Sequence, residues 1–121
     1  MAGQRTIIAG SREVRDFGLV CQAVEASGFE IAEVVSGGAR GVDRLAERFA
    51  RNHRLPMRQF LPDWSRFGRS AGPRRNQRMV DYVGQGGQLI AVWDGVSKGT
   101  LHTIRMAQIS GLSVFVFRVE G

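Results

Sequence analysis

Two unbroken apolar runs, Leu89-Ile90-Ala91-Val92-Trp93 and Val114-Phe115-Val116-Phe117, constrain this chain more than any other feature. They are too short for helices and rich in β-branched and aromatic residues. A strand that is apolar at every position must be covered on both of its faces, as happens in a parallel sheet. The segments around them support that arrangement. Thr6 to Ala9, Glu30 to Val35 and Met57 to Leu61 read as three further strands. Between them lie stretches with apolar residues at i, i+3, i+4 and i+7: Glu13 to Ser27, Val42 to His53, Pro73 to about Val83, and Gly99 to Ser110. Pro62 to Gly72 and Asp94 to Lys98 read as loops. Strict alternation of strands and helices predicts one Rossmann-like α/β/α domain over residues 1–121, with a five-stranded, mainly parallel sheet and about four helices.

Ligands in such sheets bind beyond the carboxyl ends of the strands. Those ends carry Gly10-Ser11-Arg12, Ser36 to Asp43, Pro62 to Gly72, and Asp94 to Thr100, so nearly every glycine-rich or arginine-rich element falls on one rim. The segment Ser36-Gly37-Gly38-Ala39-Arg40-Gly41-Val42-Asp43 reads as a strand, a sharp turn and a helix start. Its glycines let a ligand approach backbone N–H groups, and a helix N-terminus favours phosphate. It is neither a P-loop nor a GxGxxG dinucleotide fingerprint. A ligand-free strand-to-helix turn has the same composition, so the segment alone leaves both readings open. Gly99-Thr100 offers a second helix start, where Thr100 either binds an anion or caps its own helix.

The charge distribution points the same way. The chain has 17 basic residues against 11 acidic ones, and Lys98 is the only lysine. From Arg40 to Arg78 there are eleven arginines and three acids, a local charge of +8. The remainder carries −2. A basic middle implies an anionic partner: nucleotide phosphates, nucleic acid or an acidic protein. Arg44, Arg48 and Arg51 fit a solvated helix face. Arg66, Arg69, Arg74, Arg75 and Arg78 crowd a helix start, where positive side chains are unfavourable unless an anion lies between them. Trp64 is placed either to stack on a base or to cover the sheet edge. Cys21 stands alone on an apolar stripe, so neither a disulfide nor a cysteine metal site is expected. No metal or cofactor is predicted. Without a signal-peptide pattern or a run of about 20 apolar residues, the expected location is cytoplasmic, with no membrane partner.

Five motifs in order, Gly10-Ser11-Arg12, Ser36 to Asp43, Asp63-Trp64, Gly72-Pro73-Arg74-Arg75-Asn76-Gln77-Arg78-Met79, and Trp93-Asp94-Gly95 with Gly99-Thr100, resemble the SLOG superfamily. That group contains DprA/Smf and the Lonely Guy phosphoribohydrolases, and the resemblance is closest to its short YspA-like branch of bacterial and phage proteins. The resemblance implies a small nucleotide-derived ligand, such as an NAD- or ADP-ribose-like molecule, sensed, sequestered or processed at the rim. The binders it implies are Gly10, Ser11, Arg12, Ser36, Gly37, Gly38, Arg40, Gly41, Asp43, Trp64, Arg74, Arg75, Asn76, Gly99 and Thr100. It also implies homo-oligomers.

Two alternatives accompany that reading. One is an N-glycosidase acting on nucleoside monophosphates, as in Lonely Guy enzymes, with Arg75 at the family's catalytic arginine. Thr103 falls where those enzymes have glutamate, which argues against their hydrolysis, and leaves Asp43 or Asp94 to supply a carboxylate. The other is single-stranded nucleic-acid binding, as the relationship to DprA suggests.

Overall fold

The computed structural model describes residues 3–120. Five strands, β1 (Gln4–Gly10), β2 (Ile31–Ser36), β3 (Met57–Gln59), β4 (Gln88–Trp93) and β5 (Ser113–Arg118), form one sheet in the order β3-β2-β1-β4-β5. Every pairing is parallel. The helices are α1 (Phe17–Ser27), α2 (Val42–Asn52), the single turn α3 (Trp64–Phe67), α4 (Ala71–Val83) and α5 (Lys98–Ile109).

Alternation along the strands sorts the core into two layers. Ile7, Ala9, Val35, Leu89 and Ala91 pack with Met79, Val80 and Val83 of α4 and Ile104 and Ala107 of α5. Ile8, Val34, Ile90 and Val92 pack with Val20 and Ala23 of α1 and Val42, Ala46 and Phe49 of α2. The central strands are therefore sandwiched between helix pairs, which is why they carry no polar alternation. Among the described residues, no helix is long and apolar enough to cross a membrane.

Strand β1 begins at Gln4 rather than Thr6, β3 ends at Gln59 rather than Leu61, and the helical segments differ from expectation in three places. Helix α1 begins at Phe17 rather than Glu13, because Ser11 to Val14 form a turn and Asp16 caps the helix, its Oδ1 accepting from Gly18 N at 2.9 Å. The expected loop from Pro62 to Gly72 holds α3 and a 3-10 turn at Gly68–Ser70. Asp63 nucleates α3 by accepting from Arg66 N at 3.2 Å. Helix α4 starts at Ala71, two residues ahead of Pro73, so the proline sits within its first turn, where a missing N–H does no harm.

The strand order reverses between β1 and β4. The chain runs outward from β1 through β2 to β3, then returns to the other side of β1. A crevice opens at such a switch point, above the carboxyl ends of the strands.

Candidate functional site

The floor of the crevice is built at the end of β1. Gly10 lies against the Val92 carbonyl and the Val42 side chain, where a Cβ would not fit. Ser11 is buried and serves three elements. Its N–H donates to Val92 O at 3.1 Å, its carbonyl accepts from Val42 N at 3.2 Å, and its hydroxyl accepts from Asp94 N at 3.2 Å. Gly41 closes against this turn with φ of 78°, and a Cβ there would stand 2.6 Å from Arg12 Cα. Ser11 and Gly41 thus hold the framework together, and Arg12 is left exposed on the rim.

The loop after β2 is braced by its own side chains. Ser36 Oγ accepts from Gly38 N at 3.1 Å and donates to Glu47 Oε2 at 2.8 Å. Asp43 Oδ2 accepts from Ala39 N at 3.1 Å. The N–H groups of Gly38 and Ala39, candidates for phosphate binding by composition, are already paired. The Asp43 carboxyl is 6% exposed yet borders the crevice. Burial pushes it from the ordinary 3.8 up to about 6, with Glu47 adding to the rise, while the Ala39 N–H and the Arg75 and Arg12 guanidiniums oppose it.

Arg75 enters from α4. Its Nη1 donates to the Gly37 carbonyl and, at 3.5 Å, to Phe60 O, while Nε donates to Asn76 Oδ1 at 2.8 Å. Burial draws the guanidinium below its ordinary value, and Asp43 resists that shift. Three other arginines of the cluster have different partners. Arg74 lies 4.3 Å from the Phe67 ring centroid and donates to Ser70 Oγ, Arg66 covers the same ring at 4.9 Å, and Arg78 lies over Phe60 at 5.2 Å. Aromatic faces share the positive charge at the start of α4. Of this basic cluster, only Arg75 lines the crevice.

The opposite wall is the start of α5. Thr100 is buried, its hydroxyl 3.1 Å from Ser97 Oγ, and Gly99 has open space where a Cβ would project. Lys98 and the first backbone N–H groups of this 12-residue helix make that wall electropositive. Thr103 donates to Gly99 O at 3.1 Å. Asp94 is occupied elsewhere. Its Oδ1 accepts from Val96 N and Ser97 N, both at 2.9 Å, and these bonds hold its carboxyl below the usual range.

Two hollows result, of about 370 and 440 Å³. The first, between β1, α4 and α5, is lined by Gly10, Asp43, Asn76, Met79, Gly99, Thr100, His102 and Thr103. The second, over the β2 loop, is lined by Gly37, Gly38, Arg40, Leu61 and Pro62. Arg12, Ala39, Trp64 and Arg75 belong to both. Trp64 is 52% exposed and lines both hollows. Arg40 is tied to Glu13 by an exposed 2.7 Å ion pair.

Among the residues expected at the site, Ser11, Ser36 and Gly41 lie beneath it, Arg74 points away and Asp94 is held in its own turn. The remainder line one or both hollows. Lys98, His102, Thr103 and Leu61 join them. His102 and Thr103 follow the Gly99-Thr100 helix start by less than one turn, and that spacing is the signal that places them beside it.

The matches to known proteins agree with this architecture. Residues 4–67 match the profile of the YAcAr family, the YspA, cpYpsA-related SLOG family. The Gene 61 protein of Mycobacterium phage D29 is 34% identical over 124 residues, covering 94% of this chain and 96% of that protein. The X-ray structure of DNA processing protein A (DprA) from Streptococcus pneumoniae superposes with a TM-score of 0.69 at 18% identity, over 94% of this chain. The superposition covers 50% of that structure's chain, so this chain spans about half of its length, and the two share the fold. By its matched residues and by its full-length phage relative, the chain belongs to the YspA, cpYpsA-related SLOG family.

Proposed function

We propose that the protein binds a nucleotide-derived phosphate ligand of the NAD or ADP-ribose kind across the two hollows. The observation that carries this reading is their junction, where Arg12, Arg75 and Trp64 face both compartments. A ligand with two ring systems joined by phosphates matches that plan: one unit in each hollow, phosphates between the two guanidiniums and near the start of α5. Arginine forks suit phosphate oxygens, and Trp64 offers a free face for a base. A nucleoside monophosphate would fill one hollow only. Sensing, sequestering and processing all begin with this binding step. Pairing of copies, implied by the family resemblance, is read by light scattering with and without ligand.

Asp43 favours a second reading, N-glycosidase action. It is a carboxyl in the crevice raised to about 6, within the range suited to general acid–base work at neutral pH. With Asp94 bound into its turn, Asp43 is the carboxyl left to stabilise positive charge developing on a ribose or to activate water.

Titration calorimetry with ADP-ribose and with AMP tests the binding reading, alongside native mass spectrometry of the purified protein for a retained ligand. Tighter binding of ADP-ribose than of AMP is expected. No binding of either, together with oligonucleotide binding that falls steeply with salt, would replace it with a single-stranded nucleic-acid reading. Free base released from AMP by the wild type and not by Asp43→Asn would establish the glycosidase.

A further inference from the structure

Asn76 is 6% exposed, and both ends of its amide are engaged. Oδ1 accepts from Arg75 Nε at 2.8 Å, and Nδ2 lies 3.2 Å from His102 Nδ1. The first bond fixes the sense of the amide, because a guanidinium N–H can only donate and must meet the oxygen. The amide NH2 therefore faces His102. An NH2 group offers no acceptor, so Nδ1 of the imidazole must accept. The neutral ring then carries its proton on Nε2. Among the described residues no buried side-chain nitrogen lacks a partner, and Nε2 makes no hydrogen bond, so this nitrogen is open to solvent. His102 borders the first hollow, less than one turn beyond Gly99 and Thr100.

We infer that Arg75 and Asn76 together fix His102 as an Nε2–H donor, and that this N–H contacts an oxygen of the bound ligand. The first half stands on the geometry alone, and the second rests on the proposed nucleotide-derived ligand. The relay joins the two walls of the crevice. Arg75 anchors on the β2 loop through the Gly37 carbonyl, and Asn76 transfers that orientation to α5. Asn76 is a positioning residue that acts through the imidazole. His102 supplies a directional, uncharged donor beside the charged ones, and its acceptor is a phosphoryl or ribosyl oxygen.

The tautomer is read from a long-range 1H–15N correlation of the imidazole rings at about pH 8.5, two units above the ordinary histidine value of about 6.5. Loss of one ring system in His102→Gln separates its signals from those of His53. A bare Nδ1 and a protonated Nε2 are expected, together with a nitrogen–nitrogen coupling through the Asn76 Nδ2 to His102 Nδ1 hydrogen bond. A protonated Nδ1, or absence of that coupling, would overturn the relay. Asn76→Asp puts an acceptor where the NH2 stood and is expected to move the proton to Nδ1. A folded Asn76→Asp protein with an unchanged His102 tautomer would remove Asn76 from its role.

The ligand contact is tested with ADP-ribose as the probe. His102→Phe is expected to weaken binding by about tenfold or more, while His102→Gln, which keeps an N–H donor, stays within about threefold of wild type. Equal affinity of His102→Phe and wild type would overturn the contact. If the wild type binds no ADP-ribose, the functional reading and this contact fall together, and the spectrum still decides the relay.

Discussion

Arg75 leaves α4 on one face of the sheet and donates to the carbonyl of Gly37, in the loop that leads to α2 on the other face. One guanidinium thereby closes over the ends of the strands and joins the two helical layers. It also stands at the junction of both hollows, so any anion seated there meets a group that is already oriented. Preorganisation of this kind lowers the ordering needed on binding.

Arg75→Ala is expected to weaken ADP-ribose binding at least about tenfold, the loss of one charge-assisted hydrogen bond. Arg75→Lys does not restore it, because an ammonium cannot hold Gly37 O, Asn76 Oδ1 and a ligand oxygen from one planar fork. Calorimetry on the three proteins reads the difference. Wild-type affinity in the alanine variant would exclude Arg75 from the site.

Gly37→Ala tests the same contact from the other side. The added Cβ would collide with the Arg75 guanidinium and stand 2.9 Å from Asp43 Oδ2. Displacing those groups should lower stability by about 1–3 kcal/mol, typical of overpacking a close contact, and should weaken ligand binding as well. Urea denaturation with parallel calorimetry separates the two effects. A variant as stable and as tight-binding as wild type would show that the guanidinium is not held at Gly37.

Asp43 makes stability depend on pH in a predictable direction. Its folded value, about 6, lies above the ordinary 3.8, so the folded protein holds this proton more tightly than the unfolded chain. The contribution is fully present below about pH 4 and is lost as pH rises through 6, up to about 3 kcal/mol for a shift of this size. Relative to Asp43→Asn, the wild type should lose stability between pH 4 and about 7. Parallel pH profiles for the two proteins would contradict the raised value.

The same proton bears on binding. Above about pH 6 the Asp43 carboxylate stands near the place proposed for the phosphates. ADP-ribose affinity should therefore rise several-fold as pH falls from about 7.5 to 5.5, and Asp43→Asn should flatten that dependence. An affinity that falls on acidification would place the phosphates away from Asp43.

Trp64→Ala is expected to leave stability nearly unchanged, since half of the side chain is already in water, and to reduce ADP-ribose affinity by about 1–3 kcal/mol through lost stacking. Ligand should quench Trp64 emission, with Trp93→Phe used to remove the second indole. Affinity unaffected by Trp64→Ala would assign the ring to another surface.

The sheet was legible because Leu89 to Trp93 and Val114 to Phe117 are unbroken apolar runs and the helices between strands keep a 3.6-residue period. Strand β5 nevertheless lies at the sheet edge and is only partly buried, against the expectation that both of its faces are covered. The rim was legible because glycine and arginine collect at strand ends. What each rim residue does was not, since small polar residues beside glycines serve a framework as readily as a ligand. Ser11 is assigned by Asp94 N, 83 positions away, and Ser36 by Glu47, 11 positions away. Asp94 shows the converse: its carboxylate is claimed by Val96 and Ser97 within its own turn, a local pattern written in the sequence but equally compatible with a free catalytic group. The partners of the arginine cluster were hidden for another reason: Phe67 meets Arg74, and Phe60 meets Arg78, only once the chain has folded.

Strand β1 pairs on one side with β2 at short sequence separation, Thr6 lying opposite Val34. Its other edge meets β4 only across a separation of 82 residues, from Thr6 to Gln88. The crevice needs the ends of both β1 and β4, so it exists only once that long-range pairing is made. A pairing of this separation makes closure of the crevice floor slow, in the manner of non-local topologies.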